Sequence, residues 1–167
     1  MIKLLSKYSL MFLVFVLIQV LILNQIQLGG FLIPYMYILF ILLLPVSTPG
    51  YLIVLLSFFT GLTVDLFLNS PGIHASATLF MSIFRGSLIK SISKKEENAN
   101  DFPGLKQNGI RWFLTYIFIM VVIHHIFLFY MEVFTLNNFL FTLFRSLLSS
   151  IFTIIIIVLS QFIIFRE

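Results

Sequence analysis

Long apolar runs separated by short polar breaks organise this chain. About 20 apolar residues are needed to cross a bilayer core as α-helix. Runs of that kind sit near 8–28, 49–68, 72–92, 111–131 and 139–165. A sixth, near 31–46, is shorter: it is entered through Gly29-Gly30, carries Pro34 and ends at Pro45, before a second break at Pro49-Gly50. No internal repeat, heptad pattern or GxxxG motif accompanies them. The one sizeable polar stretch, Ser93 to Gly109 (SKKEENANDFPGLKQNG), predicts a solvated loop over 93–110. The expected fold is all-α, a polytopic membrane protein of about six transmembrane helices forming a single integral membrane domain over 1–167.

Charge placement decides the status of 31–46. Taken as a span, it gives six helices with both termini cytoplasmic. Lys3, Lys7, Lys90, Lys94, Lys95, Lys106, Arg111 and Arg166 then share the cytoplasmic side, and the outer loops hold no Lys or Arg. Arg85 and Arg145 fall within spans. A re-entrant 31–46 forces the termini or the basic loop to the wrong face, so the positive-inside rule selects six spans.

Composition agrees. The 167 residues are 60% hydrophobic and 10% charged, with a mean hydropathy of +1.13, whereas soluble domains carry roughly a quarter charged residues. The absence of cysteine excludes disulfides, thiolate metal sites and Cys nucleophiles. The net charge of +4 reports membrane orientation rather than nucleic acid. At the N-terminus Lys3 and Lys7 precede an apolar run that continues from Tyr8 to Leu23 and into Asn24, Gln25 and Gln27 with no Ala-x-Ala site. That pattern predicts an uncleaved first span, not a signal peptide.

Ionisable groups inside spans are rare and face protein or water. Six stand out: Asp65, Arg85, His124, His125, Glu132 and Arg145. At about 1.5 Å per residue, Asp65 in the third span and Arg145 in the sixth both fall in the outer third. They are a candidate buried ion pair clipping the two spans together, with a ligand or proton-relay role as the alternative. Arg85, near the cytoplasmic end of the fourth span, and Lys90 are expected to snorkel to the membrane interface as anchors. Glu132 is a boundary residue. His124 and His125 project about 100° apart on a helix, which suits a metal poorly, so at least one is expected to hydrogen-bond another span.

The run GLTVDLFLNSPGIHA, Gly61 to Ala75, is the most distinctive. Asn69-Ser70 supplies capping oxygens, Pro71 signals a helix start, and His74 follows Pro71-Gly72, so the run predicts two antiparallel spans joined by a tight outer turn. Ser57, Thr60 and Gly61 form a small-residue patch where a helix can approach closely. No nucleophile elbow, phosphate-binding loop, His-Glu-x-x-His or paired carboxylate occurs within a span. The expectation is therefore a non-enzymatic chain with no cofactor and no metal.

Across GLTVDLFLNSPGIHASATLF the chain resembles the bacterial rod shape-determining protein MreD family. Gly61, Asp65, Ser70, Pro71, Gly72, His74, Ala75 and Arg85 carry the resemblance, over about 30 residues, together with chain size, helix number and the break at Pro45–Pro49. The resemblance implies a multi-pass protein of the bacterial cytoplasmic (inner) membrane that serves cell shape and peptidoglycan synthesis. Its implied partner is an MreC-like bitopic membrane protein, and through it RodA, a penicillin-binding transpeptidase and, indirectly, MreB. The implied fold is similar to the substrate-binding subunit of energy-coupling-factor transporters. That kinship supplies the rival expectation, a vitamin-type substrate-binding subunit of a membrane transporter.

Overall fold

The computed structural model describes residues 2–26, 29, 32–93, 101–135 and 138–164, with the side chains of 2–5 and 164 left out. Lys94 and Lys95 of the expected basic loop, the side chain of Lys3, and Arg166 lie outside the described residues. Six α-helices are seen among those described: α1 (Ile2–Leu21), α2 (Leu39–Leu42), α3 (Gly50–Leu68), α4 (Ile73–Ile92), α5 (Leu105–Val133) and α6 (Phe139–Ile164). Short 3-10 turns follow α1 at Leu23–Gln25 and precede α2 at Met36–Ile38. Gly109, at φ 79°, breaks α5 near its start, so its long straight part begins where a span was expected.

Four helical stretches are long and apolar enough to cross a membrane: Ser6–Gln25, Gly50–Leu68, Leu105–Val133 and Phe139–Ile163. α4 matches them in length but carries His74, Ser76, Thr78, Ser82, Arg85, Ser87, Lys90 and Ser91, which dilute its apolar character. Its neighbours shield much of that polarity: His74, Thr78, Ser82 and Arg85 are all buried.

The stretch 31–46 departs from expectation. It is not one span-length helix, since only Met36–Leu42 is helical, as a 3-10 turn running into the single turn of α2. Pro34 has no N–H to donate and pushes Ile33 toward extended backbone, and Pro45 closes the other end. Too few residues remain between them for a span-length helix. This central segment is instead the most enclosed part of the molecule. Tyr37, Ile38, Leu39, Ile41, Leu42 and Leu43 have no exposed surface, and Tyr35, Met36, Phe40 and Leu44 are nearly as buried.

The helices stand around that segment. α3 packs on α4, α4 on α5, and α5 on α6, while α1 lies against α3 and the central segment, and α6 touches the segment as well. The segment travels from one end of the bundle to the other. Tyr35 lies beside His74 at the start of α4, and Leu44 bonds Arg85, three helical turns further on. Beyond it, the Val46 N–H donates to the Asp101 carbonyl at 2.7 Å and the Ser47 N–H to Asp101 Oδ1 at 3.0 Å. Lys7 of α1 sits 5.2 Å over the Phe102 ring at this same end.

α6 inverts the usual amphipathic order. Its buried positions include Thr142, Ser146, Ser149, Ser150, Thr153 and Ser160, and its exposed face carries Leu140, Phe144, Leu147, Ile151, Ile155 and Leu159. In lipid no hydrophobic drive holds helices together, so small hydroxyl residues that let backbones approach belong inside.

Candidate functional site

Two clusters of buried polar side chains hold the bundle's interior together, and the Gly61–Ala75 hairpin belongs to the first. α3 ends on Asn69 in the left-handed region (φ 53°), and Gly72 at φ 78° opens α4. The first amides of a helix lack partners inside it, and a side chain at the N-cap normally takes those of its second and third residues. Gly72 has no side chain to offer. Asp65 supplies the cap from the neighbouring helix: Oδ1 accepts the His74 N–H at 3.0 Å and Oδ2 the Ala75 N–H at 2.9 Å. The Ser70 hydroxyl donates to Oδ1 at 2.7 Å. The carboxylate also faces the positive end of the α4 dipole.

Gly61 makes that reach possible. It lies one helical turn before Asp65, and a Cβ there would stand 2.4 Å from the His74 carbonyl oxygen and 2.5 Å from Ala75 Cα. The two helices therefore touch backbone to backbone. Ser57 and Thr60 share this buried face, each donating to its own helix at Ile53 and Leu56. Pro71 is exposed at the tip of the turn and Gly72 half-buried.

The expected Asp65–Arg145 pair is replaced by two separate arrangements. Asp65 is occupied by its own hairpin. Arg145 Nη1 lies 3.3 Å from Glu132 Oε2, and its guanidinium stacks 4.4 Å over the Phe129 ring. Matching depth is not matching azimuth: α6 packs against α5, where Glu132 and Phe129 lie, and α3 packs against α4 and α1.

Around the hairpin's inner side lies an imidazole–phenol network. The Tyr37 hydroxyl is its hub, 3.1 Å from His74 Nδ1, 3.2 Å from Thr78 Oγ1 and 2.8 Å from His124 Nε2. His124 Nδ1 and His125 Nδ1 face each other at 3.4 Å. His125 Nδ1 is 2.9 Å from the Val121 carbonyl, and its Nε2 is 2.9 Å from Thr153 Oγ1. Thr153 also accepts the Tyr35 N–H at 3.0 Å. Gln19 of α1 completes the cradle: Oε1 accepts the Met36 and Tyr37 amides, and Nε2 donates to the Pro34 carbonyl at 2.9 Å. Irregular backbone at membrane depth persists only where protein satisfies it, and these side chains do so for the half of the central segment beside the start of α4.

The second cluster serves the segment's other half. Arg85 was expected as an interfacial anchor, but its side chain is buried, 1% exposed. Its Nε donates to the Tyr116 hydroxyl at 3.1 Å, its Nη2 donates to the Leu44 carbonyl, and Tyr116 in turn donates to the Leu42 carbonyl at 3.0 Å. Arg85 points inward because the end of α2 presents carbonyls with no helical partner, and a cation at a helix C-terminus is favoured. Lys90, by contrast, is exposed.

Sequence reasoning passed over Gln19, Tyr35, Tyr37, Tyr116 and Thr153. One signal was present. Thr142, Ser146, Ser149, Thr153 and Ser160 recur at three-, four- and seven-residue spacings in an otherwise Ile-, Leu- and Phe-rich helix, marking one inward face. Nothing comparable marks the two tyrosines, whose roles arise from the segment that carries them.

Among the described residues no group of three or more His, Cys, Asp or Glu is placed to hold a metal ion. A groove of about 600 Å³ runs between α4 and α5, lined by Phe80, Ile123, Phe127, Tyr130 and Met131 among others. It is apolar, so it lacks the convergent polar groups that a vitamin-type ligand requires. Comparison with family models, curated proteins and solved structures finds no match for the chain.

Proposed function

We propose that this protein is a non-enzymatic scaffold of the bacterial cell-wall elongation complex, an MreD-like partner of an MreC-like bitopic membrane protein. One observation carries the reading. Most of the residues on which the resemblance rests, Gly61, Asp65, Ser70, Gly72, His74 and Ala75, act together in one rigid device, a helix hairpin capped across its own interface. Such a hairpin presents a fixed surface to a partner span, where affinity comes from packing and interhelical hydrogen bonds. Ser70 and Pro71 at its turn complete the docking surface assigned here to the MreC-like partner.

The topology proposed with it has six crossings in the cytoplasmic membrane and both termini cytoplasmic. The central segment is the second crossing, supported by its passage from His74 to Arg85 inside the bundle. The basic residues support the orientation, since Lys7, Lys90, Lys106 and Arg111 belong to the bundle end where Asp101 meets Val46. RodA, the transpeptidase and MreB are reached through the partner.

Gentle-detergent affinity purification from native membranes tests the proposal, with mass spectrometry of proteins and small molecules. An MreC-like protein recovered with RodA-type synthases supports it. ATPase subunits or a stoichiometric vitamin move the protein to the transporter class instead. A folded Asp65→Ala variant that keeps full MreC binding removes the hairpin from the docking surface.

A further inference from the structure

The network around Tyr37 has a proton inventory that its acceptors dictate. Val121 offers a carbonyl, which only accepts, so His125 carries its proton on Nδ1. Its Nε2 is then bare and takes the Thr153 hydroxyl proton, while Thr153 Oγ1 accepts the Tyr35 N–H. His124 Nδ1 faces the His125 Nδ1–H, so it too is bare, and His124 donates from Nε2 to the Tyr37 oxygen. The Thr78 hydroxyl has given its proton to the His74 carbonyl at 2.7 Å. With neutral His74 taken as the Nε2–H tautomer, Tyr37 has two acceptors for its single proton, His74 Nδ1 and Thr78 Oγ1.

An added proton meets three bare nitrogens, and they are not equivalent. On His124 Nδ1 it would point head-on at the His125 Nδ1–H. On His125 Nε2 it would strip the Thr153 hydroxyl of its acceptor. On His74 Nδ1 every bond survives: the Tyr37 oxygen accepts from both His74 and His124, as a phenol oxygen can, and the hydroxyl proton turns to Thr78 Oγ1.

We propose that His74, Tyr37 and His124 form a proton-binding site that takes one proton on His74 Nδ1, switches the Tyr37 hydroxyl from His74 to Thr78, and resists a second proton at His124.

The charged and titratable surroundings are consistent with a single uptake. From α3, Asp65 binds the backbone N–H of His74 and is the nearest negative charge on this hairpin. α5 contributes His124 and His125, and at its end Glu132 pairs with Arg145 of α6. The central segment contributes Tyr35, whose ring lies 5.2 Å from that of His74, as well as Tyr37. α1 contributes the uncharged Gln19. Ser70, half-buried at the turn, donates to Asp65 from the side of the exposed tip. The site does not depend on the scaffold reading, because it rests on Tyr37, the three imidazoles and the Thr78, Thr153 and Val121 groups bonded to them.

The test is ¹⁵N NMR of the full chain, ¹⁵N-labelled at histidine and held in lipid nanodiscs, over a titration from neutral to acid pH. At neutral pH the expected pattern is His125 protonated on Nδ1 and His124 on Nε2. On acidification His74 alone gains a second N–H, and His124 Nδ1 stays bare through that step. In Thr78→Val the switched Tyr37 proton loses its acceptor, so His74 gains its second N–H at a pH lower by about one unit. Titration of His124 or His125 before His74, uptake at two imidazoles in one step, or an unchanged His74 midpoint in Thr78→Val overturns the assignment.

Discussion

Asp65 caps the helix that begins at Ile73: its Oδ1 accepts the His74 N–H at 3.0 Å, from the helix that precedes the turn. The eight residues between them contain the whole turn. A carboxylate in an apolar span is costly unless charge or hydrogen bonds answer it, and here backbone amides at the positive end of α4 do so. The charge therefore needs no cation, which is why Arg145 is spent elsewhere.

Replacing Asp65 by alanine leaves two amides and the Ser70 hydroxyl unanswered and is expected to cost about 2–4 kcal/mol. Thermal unfolding in a fixed detergent measures it. The exchange Asp65→Arg with Arg145→Asp is expected to be worse than either single change. Recovery in the double variant would show a direct pairing that the geometry denies.

Gly61→Ala places a methyl group 2.4 Å from the His74 carbonyl oxygen, against backbone that has no rotamer to yield. A loss of at least about 2 kcal/mol is expected. Gly86→Ala, where a Cβ meets nothing within 4 Å, is the control on α4. It should leave the melting temperature unchanged or raise it slightly, because alanine is the better helix former.

Arg85→Lys distinguishes a buried clamp from an interfacial anchor. An anchor tolerates lysine. A clamp does not, because one ammonium cannot span both the Tyr116 hydroxyl and the Leu44 carbonyl as the planar guanidinium does. The expected loss is about 1–3 kcal/mol. An unchanged melting temperature would return Arg85 to the interface.

Asp101 predicts the pH dependence of the loop contact. The Ser47 side chain and N–H hold its carboxyl below the ordinary value of 3.8. A carboxyl whose folded pKa lies below its unfolded one contributes stability that is full above the unfolded value and lost as pH falls through the folded one. Asp101 is exposed, so the contribution is small. The melting temperature of wild type should exceed that of Asp101→Asn above pH 3.8, and the gap should close below it. A gap that widens in acid would contradict this sign.

Much of this protein follows from sequence alone. Helix ends at Leu68, Ile92 and Phe139 agree with the apolar runs because a backbone in lipid must bond within its own segment, so composition and length constrain those helices directly. The turn at Asn69–Gly72 was legible for a related local reason: Pro fixes φ, while Asn and Gly accept the positive φ that the turn requires. The partners of Asp65, Arg85 and Arg145 were not legible. Sequence yields depth along a helix, but which helix faces which is a matter of azimuth and packing order. The segment 31–46 shows the same limit most clearly. Its apolarity announced burial, yet only the surrounding bundle, with Gln19, Thr153, Tyr116 and Arg85 aimed at its open amides and carbonyls, allowed it to abandon the helix. Local bonding is decided by the chain, whereas the satisfaction of an irregular backbone is decided by its neighbours.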